Sequence, residues 1–180
     1  MAKVLKPDFF NRETILVAKE LLGKFLVRKI GKKIIAAEIT EVEVYDGFKD
    51  RGSHASRGKT NRTKVMFGPA GYFYVYLNYG MHWMLNIVTQ KENYPAAILI
   101  RGVKSINDEV KDINGPGRVS KFFKINKFFN NKLAAPKTGL WFEDRGIKIN
   151  LKEIKSGPRI GIDYAGPYWA KRHFRFWIKK

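Results

Sequence analysis

The chain contains no cysteine. That excludes disulfides, thiolate zinc sites, iron–sulfur clusters and a cysteine nucleophile, and it fits a reducing compartment. Acidic residues are also scarce: 16 Asp and Glu stand against 35 Lys and Arg, for a formal net charge of +19. A surface this basic suits a polyanion, and nucleic acid is the leading candidate. Long hydrophobic runs are missing. None approaches the roughly 20 residues of a membrane span, and Met1 to Pro7 has no apolar secretory core. The expectation is a soluble, cytoplasmic protein.

Apolar residues nevertheless make up 44% of the 180 positions, enough for a packed core, so the chain is not a disordered basic tail. The length points to one domain spanning 1–180. Aromatics reach 14%; some must fill the core, and the rest are candidates for stacking on bases.

The patterning predicts an α+β fold made mostly of antiparallel hairpins. A helix capped by Asn11 carries Ile15, Ala18, Leu21 and Leu22 on one stripe and stops at Gly23. Strands are expected from Lys24 to Ile30 and from Ile34 to Tyr45, turning at Gly31 to Lys33. Asp46 to Ala70 is polar, and a loop of that length is usually functional. Tyr72 to Leu77 and Trp83 to Thr89 form a hairpin with Tyr79 at or beside its tip. Ala96 to Val103 is a strand with Arg101 near its end. Lys104 to Pro116 is expected to be partly helical, with Gly115 to Arg118 a loop before a short helix from Val119 to Phe123. A hairpin over Leu140 to Asn150, a short strand over Pro158 to Ile162 and a last strand over Phe174 to Ile178 complete the reading.

One residue stands out chemically. Glu43 lies between valines in Glu41-Val42-Glu43-Val44-Tyr45, and the strand period puts Glu41, Glu43 and Tyr45 on one face. A carboxylate there repels phosphate and needs a reason. It either pairs with a cation such as Arg101 for structure, or acts as a general base that deprotonates a water. Glu41, Asp46, Asp50 and His54 lie near enough in sequence to form a hard-cation site with it, but no metal-binding spacing supports that set. Tyr79 reads either as a turn tyrosine or as a wedge for a base stack. An enzyme acting on nucleic acid, a non-catalytic RNA- or DNA-binding module and a metal-dependent nuclease all remain open on these residues alone.

Longer blocks narrow the choice. Glu41 to Tyr45, Ser53-His54-Ala55-Ser56-Arg57-Gly58, Asn61 to Phe67, Gly71 to Met81, Leu85-Asn86-Ile87, Leu99-Ile100-Arg101, Gly115 to Lys121, Pro158 to Ile162, Ala165-Gly166 and Trp169-Ala170 occur in that order. Together they resemble the alkyladenine (3-methyladenine) DNA glycosylase family, the vertebrate type rather than the helix-hairpin-helix type. The resemblance implies a curved, mainly antiparallel sheet with flanking helices and a protruding hairpin, similar to the formyltransferase C-terminal domain. It implies a monofunctional base excision repair enzyme that flips alkylated or deaminated purines from double-stranded DNA. Hydrolysis of the glycosidic bond then leaves an abasic site, with no metal and no cofactor. Glu43 matches the glutamate that activates water, Arg101 the arginine that helps hold it, and the Ile162 carbonyl a further water contact. Tyr45, His54 and Tyr76 match the side chains enclosing the flipped base, and Asn86 the one that selects against guanine. Tyr79, with Met81 beside it, matches the residue filling the vacated duplex. The resemblance also implies a location on the nucleoid when DNA is bound, and nothing demands more than a monomer. The chain departs from the vertebrate members in a shorter segment between Val103 and Gly115 and in His82-Trp83 after the wedge.

Overall fold

A computed structural model describes residues 2–106 and 111–179. Its strands in chain order are β1 (Lys3–Val4), β2 (Phe25–Ile30), β3 (Lys33–Asp46), β4 (Phe73–Asn78), β5 (His82–Val88), β6 (Ala96–Ser105), β7 (Lys111–Asn114), β8 (Leu140–Asp144), β9 (Ile154–Gly157) and β10 (Arg175–Ile178). The helices are short: α1 (Pro7–Phe10), α2 (Thr14–Leu21), α3 (Pro116–Phe122) and α4 (Pro167–Ala170). All ten strands of the described residues join one antiparallel sheet whose main path runs β1-β8-β2-β3-β6-β5-β4. The α+β fold with few flanking helices is as the sequence implies.

The organising element is β3. One of its edges pairs with β6 over Ala37 to Asp46. The other edge is divided, with β2 against Lys33 to Glu38 and β10 against Glu41 to Glu43. The change of partner coincides with register shifts against β6 around Glu41. Gly102 sits there, where an added Cβ would fall 2.9 Å from Glu41 Cβ. A bulge bends its strand and increases the local twist, so the sheet breaks direction just before Glu43.

Alternation sorts the side chains. Val42 and Val44 of β3, Ile98 and Ile100 of β6, Leu85 and Ile87 of β5, and Phe73 and Val75 of β4 face the main core with Val17, Ala18 and Leu21 of α2. Each large apolar side chain buried there contributes about 1.5–3 kcal/mol. The opposite face carries Glu43, Tyr45, Tyr74, Tyr76, Asn86, Leu99 and Arg101. The segment between β3 and β4 folds over part of that face, and Ala55, Val65, Met66 and Phe67 pack on Tyr74, Val88 and Ala97.

Several expectations from the sequence need correction. Asn11 ends α1 rather than starting α2, whose N-cap is Glu13. The stretch after Val103 is not helical where it is described. β6 continues to Ser105 and β7 returns against it, with Val103 opposite Ile113, because Ile113, the one apolar residue of β7, packs onto the sheet. Residues 107–110 of that stretch lie outside the described residues. α3 begins at Pro116, not at Val119; proline lacks the N–H that the first helical position leaves unused. Leu140 to Asn150 is not a hairpin. β8 pairs with β1 and β2, and the Asp144 carboxylate accepts the Gly146 N–H at 2.9 Å to end it. Pro158 to Ile162 is not a strand; the strand is β9, just before it. Pro158 has no N–H for a ladder, and the Ile160 N–H is used on Glu43.

Candidate active site

The β4–β5 hairpin projects with Tyr79 and Met81 at its tip, 86% and 71% exposed. Tyr79 (φ 48°) and Gly80 (φ 68°) adopt left-handed backbone, which closes the turn in three residues between Asn78 and His82. Tyr79 sits at the hairpin tip, where the sequence placed it, and its side chain is exposed.

Behind the hairpin lies a cleft of about 630 Å³. Its floor is a row across the sheet, in which Glu43 pairs with Leu99, Leu99 with Asn86, and Asn86 with Tyr74. Strands are spaced about 4.8 Å apart, so the Glu43 and Asn86 backbones stand roughly 10 Å apart. Asn86 is locked in place, its Nδ2 donating to the Tyr74 carbonyl at 3.0 Å. His54 enters from the overlying segment. Its Nδ1 meets the Tyr74 hydroxyl at 3.1 Å, and its ring lies edge-on to Tyr76 at 4.7 Å between centroids. The Arg62 guanidinium covers Tyr76 at 5.0 Å.

Glu43 has no solvent exposure. Its Oε2 accepts from the Tyr45 hydroxyl at 3.0 Å and its Oε1 from the Ile160 N–H at 2.8 Å. Arg101 Nε lies 3.5 Å from Oε1, but closer, at 3.2 Å, to Glu41, which also accepts from Arg175. Burial pushes the Glu43 carboxyl above its ordinary value, against the opposing pull of Arg101, the Ile160 N–H and Tyr45. Donors converging on one carboxylate favour its ionised form. Burial, then the neighbouring Glu43 charge, drives the Tyr45 phenol well up, so it stays a donor. Burial, then Arg62 and Arg57, lowers His54 to about 4. Its imidazole is therefore neutral at neutral pH.

The cleft thus brings together Glu43, Arg101, Tyr45, His54, Tyr76, Asn86 and Ile162, with Tyr79 at its mouth. The Ile162 carbonyl accepts the Ala165 N–H at 2.9 Å. The residues weighed as a cation set are dispersed. Asp50 is paired with Arg159, and Asp46 accepts from Thr14. Among the described residues no three His, Asp or Glu side chains gather to hold a metal.

Sequence reasoning missed several members. Tyr74 shares the parity of Tyr76, and that signal was available. Tyr164, whose hydroxyl donates to the Gly52 carbonyl at 3.0 Å, gave none. Nor did Arg159, or the Ile160 amide.

Comparison with known proteins identifies the family. A family model described as methylpurine-DNA glycosylase (MPG) matches residues 8–180. A Legionella pneumophila (strain Paris) protein assigned as a 3-methyladenine DNA glycosylase is 44% identical over 179 residues, covering 99% of this chain and 96% of its own. Proteins given the same assignment in Methanocella arvoryzae and Myxococcus xanthus are 41% and 40% identical, covering 98% and 97% of this chain and 92% and 90% of their own. The match extends over nearly the whole chain, including every strand that lines the cleft: the chain belongs to the methylpurine-DNA glycosylase family and is a DNA glycosylase.

Proposed function

We propose that the protein removes alkylated or deaminated purines from duplex DNA as a monofunctional glycosylase, with Glu43 activating the attacking water. The observation that carries the reading is a fully buried carboxylate, hydrogen-bonded by the Tyr45 hydroxyl and the Ile160 N–H and ion-paired with Arg101, in the floor of an aromatic cleft beside an exposed hairpin tip.

A base stacked in a duplex hides its glycosidic bond, so the nucleotide must rotate out, at a cost of a few kcal/mol. Damaged or mispaired bases cost less to extrude, which is a first layer of selection. Tyr79 and Met81 fill the vacated space. Tyr45, His54 and Tyr76 enclose the flipped base. A neutral His54 is suited to a cationic alkylated purine, since an imidazolium would repel it. The rigid Asn86 amide stands where it obstructs the exocyclic amine of guanine. As the glycosidic bond breaks, its electron pair leaves with the base and positive charge develops on the sugar. Glu43 stabilises that charge and takes the proton from water as the oxygen bonds to the anomeric carbon. The products are a free purine and an abasic site. No lysine nucleophile takes part, so no strand break follows. An enzyme with this substrate works on the nucleoid.

The test is release of hypoxanthine, ethenoadenine or 7-methylguanine from defined duplexes, with Glu43→Gln as control. Base release by the wild type alone, with strand breaks only after alkali, is the expected result. Strand breaks without alkali would overturn the monofunctional reading.

A further inference from the structure

Outside the residues already placed, the described residues hold a fully buried ion pair. Arg159 Nη1 and Nη2 donate to Asp50 Oδ2 and Oδ1 at 2.5 and 2.6 Å, and neither side chain has any exposure. Removing two charges from water costs several kcal/mol per ion, and apolar side chains of similar volume often serve stability as well or better. The pair therefore calls for an explanation beyond stability, and its connections supply one.

Arg159 Nη1 also donates at 2.8 Å to the carbonyl of Val44, the residue between Glu43 and Tyr45. The guanidinium carbon lies 4.8 Å from the centre of the Tyr45 ring and 5.3 Å from that of Phe174. The next residue, Ile160, gives its N–H to Glu43. Asp50 accepts from the Asp46 and Gly52 amides at 3.1 and 3.0 Å, and its own carbonyl accepts from Ser53, the neighbour of His54. At Gly52 a Cβ would fall 2.6 Å from Arg159 Nη2, so only glycine leaves the guanidinium its place. One ion pair thus joins β3, the segment leading to His54, and the segment leading to Ile162.

We propose that Asp50 and Arg159 are positioning residues for base excision, fixing the Ile160 N–H on the Glu43 carboxylate and the Tyr45 ring at its place in the cleft. This rests on the reading of Glu43 as the group that activates water. The groups facing Glu43 are Glu41 and Tyr45 on β3, Arg101 on β6, Tyr76 on β4 and Arg175 opposite it on β10. Arg159 and the Ile160 N–H face it from the 158–162 segment, and His54 lines the same cleft. Arg159 opposes protonation of Glu43, and Asp50 offsets that cation.

The two halves of the pair therefore act on Glu43 in opposite directions. The experiment is single-turnover release of 7-methylguanine from a duplex, followed against pH, because a base already cationic needs no acid to leave. Arg159→Met is expected to slow release about 10- to 100-fold, the scale of a small misplacement of reacting groups, and to move the acid limb to higher pH. Asp50→Asn keeps an acceptor for only one of the two amides and leaves the cation unopposed, so its acid limb moves to lower pH. Affinity for undamaged duplex is expected to stay at the wild-type level in both. Should either variant fail to fold, the Asp50→Asn/Arg159→Met double variant, with no unpaired buried charge, decides: slowed release and a raised acid limb are expected. Folded variants that melt earlier yet keep the wild-type rate and acid limb overturn the proposal and leave the pair a structural link. Glu43→Gln runs in parallel. If it retains wild-type release, the reading of Glu43 fails; if it is inactive while the pair's variants are unaffected, only this proposal fails.

Discussion

The Ile160 N–H donates to Glu43 Oε1 at 2.8 Å across 117 positions of chain. Without that contact a carboxylate between two core-facing valines would be buried with less to stabilise its charge. With it, the last loop of the chain and the central strand form one site. The consequences can be measured.

Glu43→Gln is expected to preserve or raise stability. The folded carboxyl holds its proton more tightly than the unfolded chain does. Its favourable contribution is therefore complete below the unfolded value and is lost as pH rises through the folded one. Glutamine removes the cost of the buried charge while its carbonyl still accepts from Ile160, and its amide donates to the Tyr45 oxygen. Thermal melting at neutral pH checks this; a clear drop in Tm would show that the ionised group stabilises the fold.

Low pH acts twice. Activity on a cationic base is expected to fall as Glu43 takes up a proton, at a pH above the ordinary glutamate value of 4.5. His54 titrates at about 4 in the folded protein, against 6.5 unfolded, so the unfolded chain binds more protons between those values. Its share of stability is present above 6.5 and is lost as pH falls towards 4. Melting followed over that window, with His54→Asn as the control, should show a steeper loss in the wild type.

Tyr79→Ala is expected to change folding stability by no more than about 0.5 kcal/mol, as for other surface changes, because the side chain is almost wholly exposed. Binding to lesion-containing duplex should weaken by about 1–3 kcal/mol, the scale of one lost base stack. Unchanged affinity and rate would remove the wedge from the account.

Asn86→Ala is expected to relax discrimination. Release of guanine from undamaged DNA should become measurable, while loss of the bonds to Tyr74 and Met84 costs about 1 kcal/mol or more of stability. No gain of guanine release would place the selectivity elsewhere.

The sequence made the strands legible where one face meets the core and the other does not. Val42, Val44, Ile98 and Ile100 alternate with Glu43, Tyr45, Leu99 and Arg101, and that alternation alone put the carboxylate and the aromatics on one surface. The hairpin tip was legible because Asn78-Tyr79-Gly80 is turn chemistry between two β runs. β7 was not, since Ile113 is its one apolar residue and its pairing is decided by β6. The Asp50–Arg159 pair spans 109 positions and has no periodic signal on either side. The donor from Ile160 is backbone, which no side-chain pattern reveals. The family resemblance, not periodicity, gave Asn86 and Ile162 their roles.

The most direct measurement sets wild type beside Glu43→Gln on one duplex carrying a single hypoxanthine, ethenoadenine or 7-methylguanine, in EDTA, with abasic sites cut by hot alkali. Alkali-dependent cleavage is expected with the wild type and a loss of about 100-fold or more with the variant, as for removal of a general base. Wild-type cleavage by the variant, or no cleavage of any lesion despite tight duplex binding, would contradict it.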